Sequence, residues 1–358
     1  MPQPFFSIGI TTYNRHDLLR ETLAAILAQD FADFEVLVGN DFTSEALTGE
    51  MLGINDPRIR FINHPYNLRE VGNMNALLAA ASGRYFTWLF DDDLHEPDFL
   101  TTAHQFLTTN GFPPALFSSF RMLRGDEPYQ PRRMTPEIYS ICSGQEFLRG
   151  YFAGRVKVVS TAGLFDTVSL REIVGGPKEL CGAAVGLYSE YLFLVQSAQL
   201  ERIGYLDAPF IVMRAHIGSS SQQQKDLLKY IEAGRNLVRH SSEVLRRAPL
   251  VKDLRASLLG ICRIHLYMYA YNSVRLEVAQ MRFGLGAACR AFARLVAESS
   301  ITRRMFAEET STLHWHAALL FLPLQIRYFF LILAWLIVFR IRRFVPGFMK
   351  LTRSHVPR

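Results

Sequence analysis

Residues 84–94, Arg-Tyr-Phe-Thr-Trp-Leu-Phe-Asp-Asp-Asp-Leu, constrain this chain more than any other stretch. An aromatic and aliphatic run stops abruptly at three consecutive carboxylates, Asp91, Asp92 and Asp93. A run of this composition reads as a buried strand, and in open parallel sheets ligands collect beyond the carboxyl ends of strands. Three adjacent acids there repel one another unless a cation neutralises them. Hard oxygen ligands with no Cys or His packed among them favour Mg²⁺ or Mn²⁺, which keep several waters and share their shell with phosphates. The competing reading is a solvated acidic turn that caps the following helix, and the surrounding sequence decides against it.

The preceding residues alternate short apolar runs with helical patterns. Residues 5–12 read as a strand, and residues 17–29, with Leu18, Leu19, Leu23, Ile26 and Leu27 on one side, as an amphipathic helix. Residues 35–39 and 58–62 read as the next two strands, and 73–81 as a small-residue helix ending before Gly83. This βαβα alternation predicts an α/β fold, a mostly parallel sheet with helices on both faces. Three strand ends then converge on one edge: Thr12-Tyr13-Asn14, Asn40-Asp41 and the Asp triplet.

At this point the residues resemble a known family. Ser7-Ile-Gly-Ile-Thr-Thr-Tyr-Asn14-Arg15, Glu35-Val-Leu-Val with Asn40-Asp41, Asn67-Leu68 with Gly72-Asn-Met-Asn75, and Gly83 to Asp93 are similar to the nucleotide-binding half of family 2 glycosyltransferases of the Rossmann-like GT-A fold. The resemblance is continuous over roughly residues 5–100 and weaker to about residue 220. It implies that Thr12, Tyr13, Asn14 and Asn75 lie at the nucleotide and that Asp41 hydrogen-bonds the base. It also implies that Asp91, Asp92 and Asp93 fill the DxD position, gripping ribose and a metal-diphosphate. Phe42 stands in place of a glycine and Met74 in place of a common arginine, so base and sugar stay open, with a UDP-sugar favoured.

Departure of a nucleoside diphosphate builds negative charge, which a divalent ion held by Asp93 with Asp91 or Asp92 offsets. The acceptor hydroxyl then needs a carboxylate base on the opposite side of the sugar ring. Leu187-Tyr-Ser-Glu190-Tyr-Leu-Phe resembles the family's acidic motif at the start of a helix, which implies that Glu190 is the base of one direct, inverting displacement; an ordinary first-turn Glu is the structural alternative. Gly175-Gly176-Pro177 resembles the acceptor-side loop. Met213 to Ser221 resembles the closing segment, which implies diphosphate contact by Arg214 and metal or phosphate contact by His216.

The four cysteines, Cys142, Cys181, Cys262 and Cys289, are widely spaced without a Cys-x-x-Cys pair, which argues against a disulfide framework or zinc site. Residues 1–13 run into the first strand without a basic-then-apolar leader, so no secretory signal is expected. The chain divides into a catalytic domain over residues 1–224 (nucleotide half about 1–110, acceptor half about 111–224), a helical region over 225–309 and a hydrophobic, basic segment over 310–358. From residue 310 onward there is no Asp or Glu, while Arg327, Arg340, Arg342, Arg343, Lys350, Arg353 and Arg358 are cationic. That combination predicts association with anionic lipid.

Residues 315–339 are long enough for one span of about 20 residues. A span would place Arg327 near mid-bilayer at about 2.5–3.5 kcal/mol and translocate the basic tail against the positive-inside bias. A helix or broken hairpin lying in the cytoplasmic leaflet avoids both costs and is preferred; a buried helix packed on the catalytic domain or across a dimer or other homo-oligomer stays open. The net charge of +6 would also suit nucleic acid, but no recognition motif accompanies it, so no nucleic-acid partner is expected. The expectation is a metal-dependent glycosyltransferase on the cytoplasmic face of the bacterial inner membrane, acting on a glycan or lipid-linked acceptor in surface polysaccharide synthesis. The alternative is a non-catalytic nucleotide-sugar-binding protein of a membrane assembly.

Overall fold

Side chains that alternate in and out every second residue lay down the centre of the molecule. The computed structural model describes residues 3–124, 127–136, 138–215 and 227–246. In β1 (Phe6–Thr12) every residue is buried, because helices cover both faces. Phe6, Ile8 and Ile10 face one core with Val36 and Val38 of β2 (Phe34–Asn40) and Tyr85 and Leu89 of β4 (Tyr85–Phe90). Leu37, Phe86 and Trp88 face the other. A register slip of one residue would exchange these sets, so the packing of each face fixes the pairing.

The first core is closed by α1 (His16–Leu27), through Leu19, Leu23 and Ile26, and by α4 (Phe99–Thr109). The second is closed by α3 (Arg69–Ala80), α5 (Gly144–Phe152) and α7 (Ser189–Ser197). Fully burying each Leu, Ile or Phe contributes about 1.5–3 kcal/mol, which outweighs the weak helix preference of the Thr and Ile residues in α1. The remaining elements are β3 (Ile59–Asn63), β5 (Leu94–His95), β6 (Ala115–Arg124), β7 (Tyr139–Cys142), β8 (Leu164–Asp166), β9 (Ile203–Ala215), the short α2 (Gly49–Leu52) and α6 (Thr167–Ser169), a π-helical turn at Leu170–Val174, and α8 (Leu227–Arg246).

Among the described residues the strands form one sheet in the order β3-β2-β1-β4-β8-β6-β9-β5, with β7 paired to β9. The expected parallel arrangement holds for β3-β2-β1-β4. Beyond β4 it recurs only where β6 lies beside β9, and the sheet as a whole is mixed. β8 runs antiparallel to β4 and β6, and β5 and β7 run antiparallel to β9. Parallel neighbours require a crossover connection, normally a helix, and these short strands follow irregular connections that leave their direction to tertiary packing.

Helix α3 starts a turn earlier than its small-residue pattern suggests, at Arg69. Met74, which replaces a common arginine, is buried in the second core, and its carbonyl accepts the Trp88 indole N–H at 2.9 Å. Gly39 lets α3 sit directly on β2: a Cβ there would lie 2.0 Å from Asn73 Oδ1, and Asn73 Nδ2 donates to the Gly39 carbonyl. Helix α8 packs Leu245 into the second core, and Asn236 donates to the Leu180 carbonyl. It therefore belongs to the same compact unit as the catalytic body. Residues 247–358, which hold the expected membrane segment, lie outside the described residues. Among the described residues no helix is long and apolar enough to cross a membrane.

Candidate active site

The ends of β1, β2 and β4 meet because their registers align Thr12 with Asn40 and Thr11 with Phe90. Beyond Phe90 the acid triplet turns away from the sheet, and all three aspartates are buried. Thr22 of α1 holds its backbone, with Oγ1 2.9 Å from the Asp91 carbonyl and 3.0 Å from that of Asp93. The chain then returns as β5 against β9, and this brings the Arg214 backbone N–H to Asp93 Oδ1 at 3.0 Å.

Charge in the triplet is compensated from an unexpected quarter. Arg15 spans two of the acids. Its Nη2 pairs with Asp91 Oδ1, its Nε donates to Asp91 Oδ2 at 3.1 Å, and its Nη1 donates to Asp92 Oδ2 at 2.9 Å. Thr12 adds a hydroxyl bond to Asp91 Oδ2 at 2.7 Å. Burial pushes Asp91 up to about 6 in spite of these partners. Asp93 is raised as well, first by burial and then by repulsion from Asp92, Glu190 and Asp91. Among the described residues no Lys or Arg side chain pairs with it.

Glu190 lies in the first turn of α7, as its motif implies. Burial pushes its carboxyl up to about 7, and the nearby Glu70 carboxylate adds to the shift. Its backbone is pinned by Ser160 Oγ, which donates to the Glu190 carbonyl at 2.9 Å, and its neighbour Ser189 donates to the Lys178 carbonyl at 2.6 Å. Glu70, on α3, has a raised carboxyl for the same first reason, burial, and accepts from the Gly186 N–H at 3.2 Å. Acids from the end of β4, α3 and α7 thus stand close enough for their charges to interact. Three of the four non-glycine residues with positive φ among the described residues adjoin this cluster in sequence, Asn14 (52°), Arg69 (62°) and Tyr188 (59°). Each stands one or two positions before one of its charged residues: Arg15, Glu70 and Glu190. Such conformations cost about 1–3 kcal/mol each and persist only where the surroundings enforce them.

Other expected site residues fall into two groups. Tyr13 is 52% exposed and meets Phe42 edge-to-face with ring centroids 5.3 Å apart. Asp41 is buried beside Thr12, with its Oδ1 accepting from the Leu68 N–H at 2.6 Å. Asn75 instead ties α3 to the Gly175-Gly176-Pro177 loop, its Nδ2 donating to the Val71 and Pro177 carbonyls at 2.9 Å each. The Arg214 guanidinium turns to Glu21 of α1 at 2.5 Å, so only its backbone reaches the triplet. His216 lies outside the described residues.

Sequence reasoning missed Arg15, Thr22 and Glu70 as parts of the site. Arg15 was visible as the cation just past the end of the first strand; the other two carry no local signal. A hard oxygen set including a raised, cation-free Asp93 suits a divalent ion. Among the described residues no three His, Cys, Asp or Glu side chains are grouped as a complete metal cage, so further ligands would have to come from phosphate oxygens and water.

The glycosyl transferase family 2 model matches residues 7–165, which include β1, β4, the triplet and β8. Over these residues the chain is similar to glycosyl transferase family 2. Its relatives include the putative colanic acid biosynthesis glycosyl transferase WcaA of Escherichia coli, 31% identical over 133 residues, 36% of this chain and 47% of that protein. GalNAc(5)-diNAcBac-PP-undecaprenol beta-1,3-glucosyltransferase of Campylobacter jejuni is 27% identical over 238 residues, 65% of this chain and 74% of that protein. The chain therefore spans about half of the first relative and about three quarters of the second. Among solved structures, residues 1–349 of S. aureus TarS in complex with UDP-GlcNAc align with a TM-score of 0.58 at 18% identity, covering 90% of this chain and 88% of that one. The shared architecture is the GT-A-like α/β fold, with its mixed sheet and flanking helices.

Proposed function

We propose that the protein transfers a sugar from a nucleoside-diphosphate sugar, a UDP-sugar in our reading, to a hydroxyl of a glycan or lipid-linked acceptor, with inversion at the anomeric carbon. One observation supports this reading: Asp93, just past β4, and Glu190, in the first turn of α7, stand on different elements yet close enough for the Glu190 charge to act on Asp93. Relatives point the same way. The C. jejuni protein and a UDP-Glc:alpha-D-GlcNAc-diphosphoundecaprenol beta-1,3-glucosyltransferase of E. coli, 31% identical over 88 residues, are both named for undecaprenol-linked acceptors. A lipid-linked acceptor would bring the enzyme to the cytoplasmic face of the bacterial inner membrane, in keeping with the apolar and basic residues 310–358.

Tyr13, exposed beside Phe42, offers an aromatic face to the base, and Asp41 a carboxylate next to it. Thr12 and Asn14 shape the floor at the end of β1, and Asp91 and Asp92 face ribose and diphosphate. Asp93, with Asp91 as second ligand, would hold Mn²⁺ or Mg²⁺, which when bound supplies positive charge against the leaving diphosphate. Glu190 accepts the proton of the acceptor hydroxyl as its oxygen bonds to the anomeric carbon. The bond from that carbon to the diphosphate breaks, and its electron pair leaves with the nucleotide. A carboxyl pushed up to about 7 is matched to this task, since a general base works best with its proton affinity near the operating pH.

The decisive experiment incubates the full chain with Mn²⁺ and a panel of nucleotide sugars and follows release of nucleoside diphosphate. Release from at least one donor, rising when an undecaprenyl-diphosphate glycan is added, is expected. Tight nucleotide binding without turnover of any donor would instead identify a non-catalytic binding protein.

A further inference from the structure

We propose that Arg15 is the resident counter-cation of the Asp91–Asp92 pair and makes divalent-ion binding conditional on the donor's diphosphate. This rests on the reading of the triplet as the donor site. The geometry is that of one planar fork bridging two carboxylates: Nε and Nη2 on the two oxygens of Asp91, Nη1 on Asp92. A guanidinium suits the position, because it stays charged, is weakly hydrated and matches carboxylate geometry with two parallel donors. Asn14, at φ 52°, turns the chain sharply after β1, so that Arg15 faces back over the triplet. Its side chain keeps 24% of its surface exposed.

The consequence concerns competition. An incoming divalent ion meets Asp91 and Asp92 already sharing one guanidinium, and only Asp93 presents a carboxylate without a side-chain cation among the described residues of the triplet. One carboxylate is a poor site for an ion that demands about six oxygen ligands. Diphosphate oxygens supply the missing ligands and can draw Arg15 away from Asp91. Metal and nucleotide therefore bind with positive coupling, and neither alone binds well. Without Arg15 the triplet becomes an uncompensated acidic cluster that recruits the ion by itself.

The test titrates Mn²⁺ into the full-length wild type, Arg15→Gln and Arg15→Lys, reading free Mn²⁺ by electron paramagnetic resonance with and without UDP. For the wild type, UDP should tighten Mn²⁺ binding by about tenfold or more, within the usual range of coupling between sites. Arg15→Gln should bind Mn²⁺ alone about tenfold more tightly than the wild type, with the gain removed by adding Asp93→Asn. Arg15→Lys, which keeps the charge and loses the fork, should fall between the wild type and Arg15→Gln. Should Arg15→Gln fold poorly, Mn²⁺ without nucleotide should restore its thermal unfolding midpoint. Mn²⁺ affinity of Arg15→Gln equal to that of the wild type, or an unfolded variant that Mn²⁺ does not rescue, would overturn the proposal. Donor turnover by the wild type is read separately: its absence would remove the transferase reading and leave the Arg15 result standing.

Discussion

At the scale of single residues, Glu190 and Asp93 make opposite demands on their surroundings. As the proposed base, Glu190 must hold a proton loosely enough to exchange it near neutrality, and burial with Glu70 nearby brings its carboxyl to about 7. A base is active when unprotonated, so turnover should rise with pH through this region and level off above it; a divalent ion at the triplet would move the midpoint downward. Glu190→Gln should erase this limb and lower turnover on the order of 10²–10⁴-fold while leaving UDP affinity unchanged by calorimetry. A drop of less than about tenfold would redirect attention to Glu179, which pairs with Arg69 at 3.5 Å on the rim. In the proposed reaction Asp93 acts on the donor side. Asp93→Ala should abolish transfer, with an unchanged circular dichroism spectrum, and near-normal turnover would remove the metal-ligand role.

At the scale of elements, the site depends on α3 as a splint between the nucleotide edge and the acceptor loop. Asn75 binds the Pro177 carbonyl, and a Cβ on Gly176 would lie 1.8 Å from Asn75 Oδ1, so helix and loop touch without slack. Asn75→Ala leaves the Pro177 carbonyl short of a donor and should cost about 1–3 kcal/mol in denaturant melts. Its kinetic effect should appear as a raised acceptor KM, because the loop leads through Lys178, bonded to Ser189, towards Glu190. Weakened UDP binding with an unchanged acceptor KM would restore Asn75 to the nucleotide site. On the other side of the sheet a second splint works through buried Glu96. It pairs with Arg121 at 2.8 Å and accepts from the Arg132 N–H at 2.8 Å, fixing the segment after β6 over the end of β5.

At the scale of the whole molecule, the clustered acids bear on stability as well as on the proposed chemistry. Asp91, Asp93, Glu70 and Glu190 all have raised proton affinity in the folded state, so each favours folding while protonated and loses that contribution as pH climbs through its folded value. With EDTA present, the thermal midpoint should therefore fall between about pH 5 and pH 8, and Mn²⁺ with UDP should recover it at pH 8. A midpoint that rises over this range would show that other groups dominate. Beyond the described residues, the cluster Arg340, Arg342 and Arg343 sets a further expectation: neutralising it should weaken binding to anionic vesicles by about 1 kcal/mol per charge and make it more salt-sensitive. Truncation after Ala307 should abolish vesicle binding, and retained binding would place the lipid contact elsewhere.

Local chemistry alone makes the nucleotide half legible from the order of its residues. Alternating apolar residues mark β1, β2 and β4, and the switch to helical periodicity marks α1, because hydrophobic period is a short-range property of the chain. The Asp triplet announces itself by its cost: three charges at the end of an apolar strand need compensation. Which cation compensates them is a tertiary matter, for Arg15 stands 76 positions from Asp91 and reaches it only because β1 and β4 pair in parallel. The same holds for Glu70 beside Glu190, for Asn75 as a strap rather than a free amide, and for the antiparallel strands beyond β4. Short strands and loop contacts carry little local preference. Their places are set by the packing of residues far apart in sequence, which only the assembled sheet brings together.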